Sequence, residues 1–66
     1  MTYSYNKLWK LLIDKKMKKK DLEVAAGIAS STIAKMSSEQ AVSMNVLGRI
    51  CKVLKCNIGD IVDIIY

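Results

Sequence analysis

The 66-residue chain contains no histidine and no proline, and only three glycines. Without histidine, and without paired carboxylates converging on a pocket, no general acid–base set can be assembled, so nothing in the sequence points to an enzyme. The lack of proline and the scarcity of glycine suit helices joined by short turns. Cysteine occurs twice, at Cys51 and Cys56. Two thiolates with no imidazole to join them do not make a structural zinc site, and a disulfide across so short a span distorts a helix. Both are read as small buried hydrophobes in a reducing compartment, Cys51 the deeper because it shares a face with Leu47, Ile50 and Leu54. No run approaches the roughly 18 apolar residues of a membrane span. The basic-then-apolar order of a secretion signal is also missing, so the expectation is a cytoplasmic protein without a membrane partner. No motif calls for a cofactor, a metal or a small-molecule ligand.

What is present fits one domain over residues 1–66. A chain of this size buries only about 60% of its unfolded surface, and the apolar fraction of 52% is enough for one compact core. The net charge is +5, unevenly spread: residues 1–20 hold seven lysines against Asp14, while residues 56–66 hold Asp60 and Asp63 and no base. A basic end of that kind is either a solvated face that keeps the protein soluble or one side of a surface that meets a polyanion.

Along the chain, Tyr3 and Tyr5 alternate with Thr2 and Ser4, a strand-like period over a very short span. Tyr5, Leu8, Trp9, Leu12 and Ile13 then recur at helical spacing. Ser4 is the candidate cap of this helix, Lys15 and Lys16 fall in its last turn, and Trp9 is expected in the core as its largest burial contribution. Residues 19–38, KKDLEVAAGIASSTIAKMSS, read as two short helices about a tight turn at Gly27. Leu22, Ala25 and Ala26 form one apolar side of the first helix, Ile33 and Met36 serve the second, and Ile28 plugs the angle between them. Ser43 is a good cap for a helix over Met44–Lys55, with Val46 or Leu47, Ile50, Cys51, Val53 and Leu54 inward and Arg49, Lys52 and Lys55 outward. Asn57 with Asp60 three residues on has the form of a capping box for a fifth helix, after which Ile61, Val62, Ile64 and Ile65 are expected to close the core. The tail IVDIIY is β-branched enough to end as a strand instead, and Thr2–Tyr5 beside Val62–Ile65 would make a short antiparallel pair.

Leu22, four residues, Gly27-Ile28, then Ile33 and Met36 resembles the helix-turn-helix of phage-repressor and Cro type (XRE-like) domains, in particular small stand-alone bacterial or mobile-element regulators. Val46-Leu47 through Ile50-Cys51, Leu54 and Asp60-Ile61 is similar to helices four and five of that family, so the resemblance covers roughly residues 6–63. It implies an all-α, compact five-helix lambda-repressor-like domain, to which a terminal strand pair is compatible.

The resemblance further implies a third helix, about Ser30 to Met36 or Ser37, lying in the major groove of double-stranded DNA with Ser30, Ser31 and Lys35 at base edges and Thr32 and Ser38 to the sides. Lys18 and Lys19, at the start of helix two, would hold phosphates, as would Gln40 and Asn45 beyond helix three. The chain departs from the family pattern in four places. Lys18 stands where a serine-type cap is usual, Glu23 where alanine or glycine lets the helices cross closely, and Ala29 where a Ser or Thr cap follows the turn. Glu39 and Gln40 replace the glycine and basic residues often found before helix four. Either Ser30 caps helix three one residue late, or a cap worth about 1 kcal/mol is missing. The functional expectation is a sequence-specific DNA-binding transcription regulator, a repressor acting as a homodimer on a palindromic site. An antitoxin or lysogeny regulator of the same fold, and a protein-interaction module that has lost DNA binding, are the alternatives. With short side chains on helix three, part of the specificity would come from DNA shape.

Overall fold

Apolar residues at three- and four-residue spacing decide where the helices lie and what they face. The computed structural model describes all 66 residues. They form β1 (Thr2–Ser4), α1 (Asn6–Asp14), α2 (Lys19–Ala26), α3 (Ser30–Ser37), α4 (Met44–Leu54), a single 3₁₀ turn at Ile58–Asp60, and β2 (Asp63–Ile65). Leu8 and Leu12 of α1, Leu22 and Ala26 of α2, Ile33 and Met36 of α3, and Leu47, Ile50 and Leu54 of α4 meet in one core, joined by Tyr5 and Ile61. Ala25 lies exposed, off the apolar side expected of it. No helix is long and apolar enough to cross a membrane.

The expected fifth helix is replaced by the 3₁₀ turn and β2. Asp60 does accept the Asn57 amide at 2.9 Å, so the reciprocal half of the capping box starts a turn. The next residues are mostly Ile and Val, whose branched side chains disfavour a helix and suit a strand, and an N-terminal strand is there to receive them. β1 and β2 pair antiparallel in the register Thr2 to Ile65, Tyr3 to Ile64 and Ser4 to Asp63. Ile61 is fully buried and takes the place in the core that a fifth helix would fill. Ile64 and Ile65, expected to close the core, are about half exposed because the strand pair lies at its rim.

The ends of α1 also differ from expectation. Tyr5 occupies the cap position without a side-chain bond, and Ser4, itself buried, accepts only the Asn6 amide at 3.4 Å. Lys15 and Lys16 fall beyond the last turn, with Lys16 in the left-handed region at φ 57°. Trp9 is half-buried on the rim of the core, not within it. The deep aromatic is Tyr5, 2% exposed, whose hydroxyl donates to the Gln40 carbonyl at 2.8 Å. Burial pushes the Tyr5 phenol above its usual range, a backbone amide at Val42 pulls it the other way, and Tyr3 adds to the rise. Helix α4 starts as expected on Ser43, whose Oγ accepts the Val46 amide at 3.2 Å. It ends at Lys55 in the left-handed conformation, with the Cys56 amide donating to the Cys51 carbonyl. Both cysteines are free and half-buried, and burial followed by the neighbouring Cys51 thiol pushes the Cys56 thiol up.

Candidate nucleic-acid interface

The turn between α2 and α3 is built on Gly27, at φ 65° and ψ 42°, a conformation a Cβ would strain. The amides of Gly27 and Ile28 both donate to the Glu23 carbonyl, closing the end of α2. Ile28 is half-buried against the core, as its place in the angle requires. Arg49 reaches across from α4, its Nη1 donating to the Gly27 carbonyl at 3.3 Å. Sequence reasoning placed Arg49 only on an outward face. Its signal is that it is the one arginine among eleven basic residues, and a planar guanidinium suits a fixed carbonyl better than a lysine does.

Helix α2 begins at Lys18, whose side chain accepts nothing. Its own amide donates to Asp21 at 2.8 Å, while the amides of Lys19, Lys20 and Asp21 find no partner within the protein. Helix α3 begins at Ala29, likewise without a side-chain cap, so Ser30 does not cap one residue late. The Thr32 and Ile33 amides return to the Ala29 carbonyl, and those of Ser30 and Ser31 stay unpaired. Both helix starts therefore present bare amide donors and the positive end of a short dipole.

On α3, Ser30, Ser31, Ala34, Lys35 and, at its end, Ser38 are all exposed. Their spacing makes them one continuous face opposite the buried pair Ile33 and Met36. Thr32, half-buried, turns to one side and lines a groove with Lys35, Val42, Ser43 and Val46. Ser37 turns to the other side, where the Lys19 ammonium donates to its Oγ at 3.0 Å while lying 4.3 Å from the centroid of the Trp9 ring. Lys19 thereby ties α1, α2 and the last turn of α3 together. Neither Ser37 nor this use of Trp9 was anticipated, because neither carries a local signal.

Of the nine residues singled out in the sequence, Lys19 alone has its side chain engaged within the protein. Lys18, Ser30, Ser31, Thr32, Lys35, Ser38, Gln40 and Asn45 make no side-chain hydrogen bond. Gln40 and Asn45 are exposed on the loop after α3 and the first turn of α4. That loop is fixed through the Gln40 carbonyl by Tyr5, and the Gln40 amide donates to the Lys35 carbonyl at 3.0 Å. The N-terminal lysines do not act as one block. Lys7 is paired with Asp63 at 3.1 Å and bonded to the Gly59 carbonyl, so the basic and acidic ends of the chain neutralise each other in part.

The fold is similar to that in the crystal structure of the transcriptional regulator VanUg, with 52% sequence identity and a TM-score of 0.91 over 94% of this chain and 83% of that one. No curated protein matches the sequence. The sequence profile of the Cro/C1-type HTH DNA-binding domain matches residues 7–65. Two short helices about a left-handed glycine, an outward polar face on the second and a match over almost the whole length agree with one another, and the chain belongs to the Cro/C1-type helix-turn-helix DNA-binding domain family.

Proposed function

We propose that the chain is a repressor of transcription that binds a palindromic duplex site as a homodimer, with α3 in the major groove. The observation that carries this reading is the exposed face of α3, where the side chains of Ser30, Ser31, Lys35 and Ser38 make no internal hydrogen bond. Lys35 is the one long cation there and is assigned to base edges, guanine O6 and N7 being the natural acceptors. The serines and Thr32 are short and accept or donate to many partners, so they position more than they discriminate. The bare amides at the starts of α2 and α3, together with Lys18, Lys19, Gln40 and Asn45, are assigned to the sugar-phosphate backbone. Repression would then result from occupancy of the site.

Selection of bound duplexes from random DNA tests the proposal. The expected result is a two-fold symmetric consensus whose affinity falls steeply with salt, with a log–log slope of about −5 for a dimer holding on the order of 6 phosphates. Enrichment of no sequence, with binding that tracks only duplex length and salt, would remove the sequence-specific reading. Absence of duplex binding at any salt would move the exposed face of α3 to a protein-interaction role.

A further inference from the structure

Eight large hydrophobic side chains lie exposed, and six of them, Met1, Met44, Ile58, Ile64, Ile65 and Tyr66, lie in or next to the terminal strands, in the 3₁₀ turn and at the start of α4. Met44, Ile58 and Ile64 border a hollow lined only by hydrophobic residues, among them Tyr3, Val42 and Val62. No charged side chain lines it, in a chain that carries eleven basic residues. The nearest strand charge, Asp63, is already paired with Lys7. Around the hollow Met44 is 70% exposed, Ile58 39% and Ile64 53%, while Ile65, the next residue of the strand, turns its side chain to the opposite face.

The backbone at this end is unfinished on one side. The Tyr3 amide donates to the Glu39 carbonyl at 3.5 Å, so the outer edge of β1 is met by the loop after α3. Successive residues of a strand turn their polar groups to opposite edges. Since Tyr3 faces away from β2, its register partner Ile64 faces away from β1, and its amide and carbonyl sit on an edge with no partner in the chain. An edge that centres on one residue is self-complementary: two copies related by a two-fold axis can exchange both bonds at that residue.

We propose that this face is where two copies of the chain meet, β2 lying antiparallel to β2 of a second copy with Ile64 opposite Ile64, and with the apolar hollows closed by the joined surfaces. The occupant is a second copy because the edge matches itself and because the hollow beside it carries no charged side chain, in a chain of net charge +5 whose copies repel elsewhere. The inference deepens the dimeric reading above by giving it a surface.

Sedimentation velocity on the full chain without DNA tests it, comparing Ile64→Lys, Met44→Glu and, as a control on a distant exposed hydrophobe, Ile13→Lys. The unaltered chain and Ile13→Lys are expected to sediment as dimers at micromolar concentration. Ile64→Lys and Met44→Glu are expected to weaken association by at least about tenfold. Far-UV circular dichroism checks that each variant is folded, and Met44→Glu, on the surface of α4, carries the test if Ile64→Lys is not. A chain that stays monomeric, or variants at positions 44 and 64 that associate like the unaltered chain, would overturn the proposal. A dimer that selects no duplex leaves this interface standing and removes the palindromic-site reading, whereas a monomer that selects a duplex does the reverse.

Discussion

Helix α4 runs eleven residues from a serine that accepts one of its free amides to a left-handed lysine that closes its end, and three of its residues are in the core. Helix α3 runs eight residues from an alanine that accepts nothing, and two of its residues are in the core. The first is stabilised from within, by its own cap and its own apolar face. The second, with α2, is held largely from outside. Arg49 holds the turn, Lys19 holds the last turn of α3 through Ser37, and Tyr5 holds the loop beyond through the Gln40 carbonyl. An element braced from elsewhere is free to spend its outward positions on short polar side chains and uncapped amides, which is what a surface presented to a polyanion needs.

Five substitutions break or sharpen that contrast. The largest effect is expected at Ile50, fully buried in α4, where Ile50→Ala should lower stability by about 2–5 kcal/mol in thermal or denaturant unfolding. A loss well below that range would mean that α4 is not the element on which the others rest. Next come two cap changes of opposite sign. Ser43→Ala should cost about 1 kcal/mol and Ala29→Ser should gain a similar amount, since Ala29 already has the extended backbone a cap requires and the Ser31 amide is unpaired. If Ala29→Ser adds nothing, the bare start of α3 is not a deficit in stability.

Tyr5→Phe is next, with about 1 kcal/mol lost as the Gln40 carbonyl goes without its donor. The same residue gives a sign in pH. Its folded pKa is raised, so the native state holds the proton more tightly than the unfolded chain. Its contribution is fully present below the ordinary value of about 10 and is lost as pH rises through the raised folded value. Stability measured from neutral to strongly alkaline pH should therefore fall more steeply for the unaltered chain than for Tyr5→Phe. The smallest effect on stability is expected for Lys19→Ala, roughly 0.5 kcal/mol for an exposed cation on a ring, read as a change in Trp9 fluorescence with little change in melting.

The contrast between the two kinds of helix also divides what could be read from the sequence. Spacing along the chain located α1, α2, α3 and α4 and the turn at Gly27, because periodicity and glycine conformation are local. The alternation of Tyr3 and Tyr5 and the branched tail likewise indicated the strand pair. The fifth helix failed because Asn57 and Asp60 signal only how a turn starts, whereas the course of the chain after Asp60 was decided by pairing with Thr2–Ser4 at the far end. Trp9 was placed in the core on size alone, but the deep site went to Tyr5, and Trp9 became the platform for Lys19. The braces were not legible either: Tyr5 to Gln40, Arg49 to Gly27 and Lys19 to Ser37 join residues 35, 22 and 18 apart, and each is a single bond with no pattern to announce it.

The central claim is that α3 reads bases through its exposed face while the start of α2 only grips the backbone. It is tested most directly by measuring, for Lys35→Ala and Lys19→Ala side by side, affinity for the selected site and for random duplex across a range of salt. Lys35→Ala should lose about 1–3 kcal/mol on the selected site and much less on random duplex, so that specificity relaxes. Lys19→Ala should weaken both duplexes alike and flatten the salt slope by about 1. Equal losses on every sequence for both variants would contradict the claim, leaving the two lysines as a positive surface and α3 without a reading role.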